Sequence, residues 1–500
     1  MEMDRAAAAR RGPAASGLRR AATPAAPSRG AACEPAGKSM RVLIVTKNYP
    51  PISHSGTFRI EAFVRHLPRF GIEPVVVADA KPFSQVDLYS QERPGLGVPP
   101  DSHVHAFPWS TQGLGRWETQ LQRLPLVNSH VRQKARDRLA LAVLGQVRAR
   151  LRGGDFDLVL SSSPPPEVHF VARAIARHYG VPLVCDLRDP WSHYFGERYR
   201  SLLDFHWERL VERRVLSDAA AVIANTSASR ALLVDEVGVP ESKVVVLGNG
   251  FDEERHAGDE GAARYLEPKR FNIVYTGLLS KAESGTRRDF RRAAKTALGL
   301  EFSPLHVSEE TRSLRFVLRA LAELAAESPG FGESAVLHLF GQRADFMEGE
   351  VAAFGLGGIV RVHGPVAQPT ANGVCGQADL LLLLQVEMFR RGRPCALCIP
   401  GKLFNYLRAG RPILAPIQAG EAAEIIEGCE AGVVVPPRDV GAIKRALAAF
   451  HADWSRLGRT PSRSRDTSRY DMASITADLA RLLRAAAGEP AGKAQARPII

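Results

Sequence analysis

The apolar positions of this chain come in short bursts separated by stretches where they recur every three or four residues. Arg41–Thr46, Glu73–Ala78, Asp157–Ser161, Val181–Cys185, Ala220–Ala224 and Lys243–Leu247 are too continuous for half-exposed strands and too short for helices. They read as strands buried on both faces, the habit of parallel sheets covered by helices. Helical spacing fills the gaps at Ile60–Phe70, which Gly71 ends, and at Glu167–Tyr179, Leu202–Leu216 and Ser227–Val237. The alternation then restarts with F-N-I-V-Y-T-G at Phe271–Gly277. After a polar insertion come a helix at Leu314–Ala326 and strands at Ala335–Phe340, Ile359–Val362, Ala378–Leu384, Pro412–Ala415 and Val433–Pro436. Helices at Val440–Phe450 and Tyr470–Ala487 follow. Strand–helix alternation in two blocks predicts an α/β protein with two tandem doubly wound domains and a cleft between them. A length of 500 residues is too great for one core and agrees with that division.

The expected boundaries are a disordered tail at 1–39, a first domain at 40–252, a charged, Gly-rich linker at 253–270 and a second domain at 271–455. A helical segment at 456–487 and a loose tail at 488–500 complete the chain. Residues 1–38 are mostly Ala, Arg, Pro and Gly, with too little apolar surface to offset the entropy of ordering them. Gly37-Lys38-Ser39 resembles the end of a phosphate-binding loop, but Ala32 stands where that loop needs glycine and no strand precedes it. Glu2 and Asp4 argue against a transit peptide, no secretory core follows, and the apolar run Leu380–Leu384 is too short to span a bilayer.

The net charge of +13 suits nucleic acid, anionic lipid or phosphorylated small molecules, although part of it lies in the tail. A basic helix at Arg132–Arg152 either presents a solvated face or touches anionic membrane, with Leu139, Leu141, Leu144 and Val147 turned inward. Cys395-Ala-Leu-Cys398 is the only C-x-x-C among six cysteines. With no second pair it predicts neither a zinc site nor disulfides, and a reducing cytosol.

Candidate chemistry gathers at Ile399–Ile426. Here a helix opens at Lys402 and ends at Gly410, a short strand follows, and a second helix opens after Gly420 with Glu421 and Glu424 in its first turn. Two helix starts beside a strand end suit an anionic ligand; the alternative is an ordinary core segment with a solvated Lys402. A second glycine-containing loop, Ser55-Gly56-Thr57, follows the first strand, at the edge where open parallel sheets bind ligands. G-x-G-x-x-G is absent from it. Asp155-Phe156-Asp157 precedes a strand, at the opposite edge, and reads as a surface turn.

Five motifs in order make the chain resemble the GT-B glycosyltransferases, and more closely their family 4 branch. They are Y-P-P with S-G-T-F-R, D-L-R-D-P-W at Asp186–Trp191, L-G-N-G-F-D, Y-T-G, and P-G-K-L-F-N-Y-L-R-A-G-R-P-I-L-A. The resemblance covers most of residues 41–487. It implies two Rossmann-like domains, the first for the acceptor and the second for a nucleotide-sugar donor. It also implies transfer to a polysaccharide, glycolipid or related acceptor in the cytoplasm, with no nucleic acid partner, and the basic helix, if it touches anionic lipid, would hold the protein peripheral to the inner membrane face. Helix N-termini and basic side chains, rather than a metal cofactor, would stabilise the leaving diphosphate.

By the same resemblance Arg312 stands at the family's phosphate-binding lysine and Lys281 near its partner arginine, and Gly277 lets the backbone approach the diphosphate. Gly56, Thr57 and Arg59 would close over diphosphate or sugar, with Arg59 alternatively paired to an acid. Asp186 and Asp189 would orient the acceptor or act as base, or pair with Arg188. The chain departs from the pattern at E-x7-E, where Leu397 and Asn405 replace the two glutamates. A subgroup with P-x-K-L-x-x-Y-L matches better, and there Lys402 supplies a charge. The departure keeps a non-catalytic nucleotide or glycan binder open, beside a GT-B nucleotide-sugar epimerase.

Overall fold

A computed structural model describes residues 39–50, 52–53, 55–79, 91–92, 103–109, 128–255, 260–281, 301–341, 345–458, 460 and 466–488. The expected tails at 1–38 and 489–500 lie outside the described residues.

The first sheet has seven strands: β1 (Met40–Thr46), β2 (Ile72–Asp79), β3 (His103–Phe107), β4 (Leu158–Ser163), β5 (Leu183–Leu187), β6 (Ala221–Ala224) and β7 (Val244–Val246). All neighbours are parallel, in the order β3-β2-β1-β4-β5-β6-β7. Strand β3 falls in a stretch whose pattern predicts only irregular chain. As the edge strand it pairs with β2 from Val75↔His103 to Asp79↔Phe107, so partnership rather than periodicity makes it a strand. The second sheet has six: β8 (Phe271–Thr276), β9 (Ala335–Phe340), β10 (Val360–Gly364), β11 (Leu380–Leu382), β12 (Ile413–Pro416) and β13 (Gly432–Val435), ordered β10-β9-β8-β11-β12-β13. In each sheet the order reverses beside the first strand, β1 or β8, and in doubly wound sheets ligands settle beyond the carboxyl ends at such a reversal.

Helices cover both faces of each sheet, giving separate apolar clusters on either side. The basic helix runs over Asn128–Arg148 and packs through Leu139, Val143 and Val147. Leu141, expected inward, is 66% exposed because it lies off that stripe. The polar insertion holds a strand, His306–Ser308, that pairs antiparallel with Glu387–Arg390. Met388 from this unit and Leu397 beyond it join the apolar cluster of the first domain.

The chain crosses between domains twice, side by side. The Phe251 N–H donates to the Tyr470 carbonyl at 2.9 Å and the Met472 N–H to the Phe251 carbonyl at 2.8 Å. A Cβ on Gly250 would sit 2.1 Å from the Tyr470 oxygen, so only glycine permits this approach. The last helix, Met472–Ala486, then packs Ile475, Leu479 and Leu483 into the first domain, in the cluster of Phe63 and Leu67.

Candidate active site at the facing sheet edges

The first domain contributes a closed set of charges. Strand β5 holds, one residue before its end at Leu187, Asp186, whose carboxylate is fully buried and bidentate to Arg59, at 3.1 Å to Nε and 3.0 Å to Nη2. Arg59 comes from helix α1 (Ser55–His66) and also donates to the carbonyls of Leu247 at 2.9 Å and Gly248 at 2.6 Å and to the Asn249 side chain at 3.1 Å. Ser162 donates its hydroxyl to Asp186 at 2.7 Å. The partner of Asp186 is therefore Arg59, not Arg188. One guanidinium ties α1, β5 and the L-G-N-G turn together, with every nitrogen engaged.

Arg188 instead lies across Gly56. A Cβ there would stand 1.2 Å from its Nη1, which explains the glycine of S-G-T. Its Nε donates to the Ser163 carbonyl at 2.8 Å and its Nη2 to that of Pro164 at 3.1 Å. Burial lowers the Arg188 pKa, against the pull of Asp186 and Asp189. Thr57 is buried, and its hydroxyl has no hydrogen-bond partner among the described residues. Asp189 is half-buried with no hydrogen-bond partner among the described residues. Burial pushes its carboxyl up and Arg188 pulls it down, with burial the stronger.

The second domain presents an open set. Lys402 opens the helix Lys402–Ala409, and its ammonium donates to the Tyr275 hydroxyl at 2.6 Å while lying 3.9 Å from that ring's centroid. It fills the space a side chain on Gly277 would take: a Cβ there would meet Nζ at 2.9 Å, and Gly277 has φ +120°. The Tyr275 hydroxyl in turn donates to the Leu278 carbonyl at 2.6 Å. Burial, then Arg312, lower the Lys402 pKa to about 7, and Cys375 opposes the shift. Among the described residues no carboxylate pairs with Lys402. Arg312 is half-buried, held by Ser280 Oγ at 2.9 Å and more distantly by Glu309 at 3.5 Å.

Other predicted residues sit differently. Lys281 is exposed and Asn405 half-buried. Gly420 has φ +149°, and a Cβ there would lie 2.8 Å from Ala396 Cβ. Glu421 reaches across to the first domain and accepts the Ser227 N–H at 2.8 Å; burial raises its carboxyl and that bond restrains it. Glu424, one turn on, is exposed. Ser229 and Thr226 donate their hydroxyls to the Leu397 carbonyl at 2.9 and 3.2 Å, a second bridge between domains. Cys398 feels both Asp189 and Arg312, so the two carboxyl edges meet around it. Arg188 and Tyr275 went unassigned in the sequence. The signal for Tyr275 was its place two residues before Gly277 at a strand end.

Asp155 and Asp157 lie at the amino edge, accepting the backbone N–H groups of Arg152 at 2.6 Å and Arg41 at 2.7 Å. A hollow of about 570 Å³ lined by Arg315, Phe316, Arg319 and Arg438 contains none of the groups at the facing edges.

Two wound sheets whose carboxyl edges face each other over glycines and the cations Lys402 and Arg312 define a two-domain α/β protein. Two family profiles match the sequence, one described as a glycosyl transferase 4-like domain over residues 57–250 and one as glycosyl transferases group 1 over residues 304–453. Together they take in well over half of the chain, which belongs to the group 1, family 4-like glycosyltransferases of GT-B fold. A search of curated proteins returns no significant match. HepE from Anabaena, solved in complex with UDP, superposes with a TM-score of 0.55 at 15% identity, covering 89% of this chain and 100% of HepE. Sucrose-phosphate synthase from Thermosynechococcus elongatus gives 0.55 at 14% identity, covering 89% and 98%. The trehalose 6-phosphate synthase of Burkholderia multivorans gives 0.54 at 13%, covering 90% and 99%. At these identities the likeness concerns the fold.

Proposed function

We propose that the chain transfers a sugar from a nucleotide-sugar to a glycan or lipid-linked acceptor in the cytoplasm, for envelope polysaccharide or a related product, without a metal. The observation that carries this reading is Lys402 beside Gly277, with no carboxylate partner among the described residues, and near it Arg312, held by Ser280 and only loosely by Glu309 at 3.5 Å. As the sugar–oxygen bond breaks, negative charge grows on the leaving diphosphate. A lysine and an arginine already in place stabilise that charge without reorganisation. Gly277 lets a phosphate approach the backbone, and Tyr275 aims the ammonium.

Asp189, half-buried and without a hydrogen-bond partner among the described residues, is the carboxylate placed to orient an acceptor hydroxyl. Asp186 and Arg59 support the floor and touch no ligand in this reading. UDP, bound by HepE, is the first nucleotide to test.

The test is nucleotide release from a panel of nucleotide-sugars, with and without chelator. Release that survives chelation and falls in Lys402→Ala supports the proposal; release that dies with chelator overturns metal independence. The glutamates missing at Leu397 and Asn405 favour a second reading, a non-catalytic nucleotide binder. Tight UDP binding with no turnover on any acceptor would select it.

A further inference from the structure

The helix Leu202–Ser217 buries Phe205, Val211, Val215 and Leu216, and beside them it hides acids while leaving other apolar residues outside. Asp204, Glu208 and Glu212 recur every fourth residue on its buried side, each no more than 1% exposed. Leu202, Leu203, Trp207 and Leu210, on the other side, are 45 to 60% exposed. Each acid is partnered within the domain through one oxygen, while Asp204 Oδ2, Glu208 Oε2 and Glu212 Oε1 have no hydrogen-bond partner among the described residues. Glu208 accepts from Arg136 at 2.5 Å and from the Trp191 indole at 2.6 Å, Glu212 from the Ser192 N–H at 3.1 Å, and Asp204 from the Ser129 hydroxyl at 3.3 Å. Burial raises the Glu212 carboxyl to about 7, so folding costs something to hide these groups while leaving leucines in water. Ordinary surface helices do the reverse.

We propose that this face docks on a bilayer containing anionic lipid. A contiguous apolar stripe of this kind marks an interaction surface. Three features select lipid. First, every carboxylate of the helix is buried, and its non-apolar outer positions include Arg209, Arg213 and Arg214, with exposed Arg200 just before it. Asp218, just past the helix end, is paired with Arg173 and Arg177. Second, a tryptophan among leucines rimmed by arginine suits the headgroup boundary, where the ring spans both media. Third, a twofold dimer through this face would set the same arginines against one another, because such an interface is self-complementary. The inference does not depend on the transfer reading.

The test uses the full chain, cosedimented with vesicles of phosphatidylcholine alone and of phosphatidylcholine with phosphatidylglycerol. Wild type should bind the anionic vesicles and be released by salt. Leu203→Gln with Leu210→Gln should weaken partitioning about tenfold or more, since each leucine forfeits its lipid burial. Arg213→Gln with Arg214→Gln should cost about tenfold on anionic vesicles only. Both pairs are exposed, so thermal midpoints should match wild type, and circular dichroism checks this. The basic residues 1–38 can also attract anionic lipid, so the leucine pair decides. Vesicle binding unchanged in that variant overturns the proposal. Absence of vesicle binding overturns it too, and if wild type also forms a dimer in sedimentation velocity that the leucine pair dissociates, the face belongs to a second copy.

Discussion

The two facing edges carry similar residues and opposite accounts of their charge. In the first domain Arg59 and Asp186 neutralise each other in the dark of the core, and backbone carbonyls take the remaining guanidinium donors. In the second, Lys402 has only a tyrosine for company and Arg312 a serine and, at 3.5 Å, Glu309. Desolvation explains the contrast. A buried charge is tolerated only when paired and fully hydrogen-bonded. A half-buried cation beside another cation is strained in the free protein and relieved by an anion. One edge is a fastener; the other is where the proposed diphosphate would be held.

That contrast can be broken from either side. The largest effect should follow Asp186→Ala, which strands Arg59 in the core. Unfolding in denaturant should show a loss of about 3–5 kcal/mol. Lys402→Ala should do the opposite to stability, leaving the midpoint unchanged or higher, while steady-state transfer falls by about 10²–10³-fold as one charge-stabilising donor is lost.

A pH series sharpens the point. The Lys402 pKa is lowered to about 7 from the free value of 10.5, so its charged form is disfavoured by folding. Between those values the unfolded chain binds more protons, and this group's contribution to stability rises with pH, reaching its full relief near the free value. A diphosphate prefers the charged form. Its affinity, read by titration calorimetry, should therefore fall as pH climbs above about 7, by up to about tenfold per unit, and Lys402→Arg should flatten the slope. The smallest effect should come from Glu421→Ala, which removes one interdomain acceptor for Ser227. A loss of about 1 kcal/mol or less is expected in thermal unfolding.

Much of this was legible in the chain. Strands buried on both faces announce themselves by continuity, so the two wound domains and most of their strands could be read in order. The edge strand His103–Phe107 could not, since its register exists only against β2. Lys402 and Gly277 were each picked out singly; that the ammonium occupies the space of the missing Cβ is a fact of packing. Glu421 looked like a donor-side residue because it opens a helix, yet it faces across to Ser227 of the other domain.

Periodicity and glycine placement are local properties, written within one turn or one strand, and they determined the fold class, the sheet edges and the place of Lys402 at a helix start. Partnership is not local. Arg59 and Asp186 are 127 residues apart, and Lys402 and Tyr275 are also 127 apart. Only the tertiary structure decided that the first pair closes on itself and the second stays open. Burial and pairing of a charge depend on what long-range packing brings beside it.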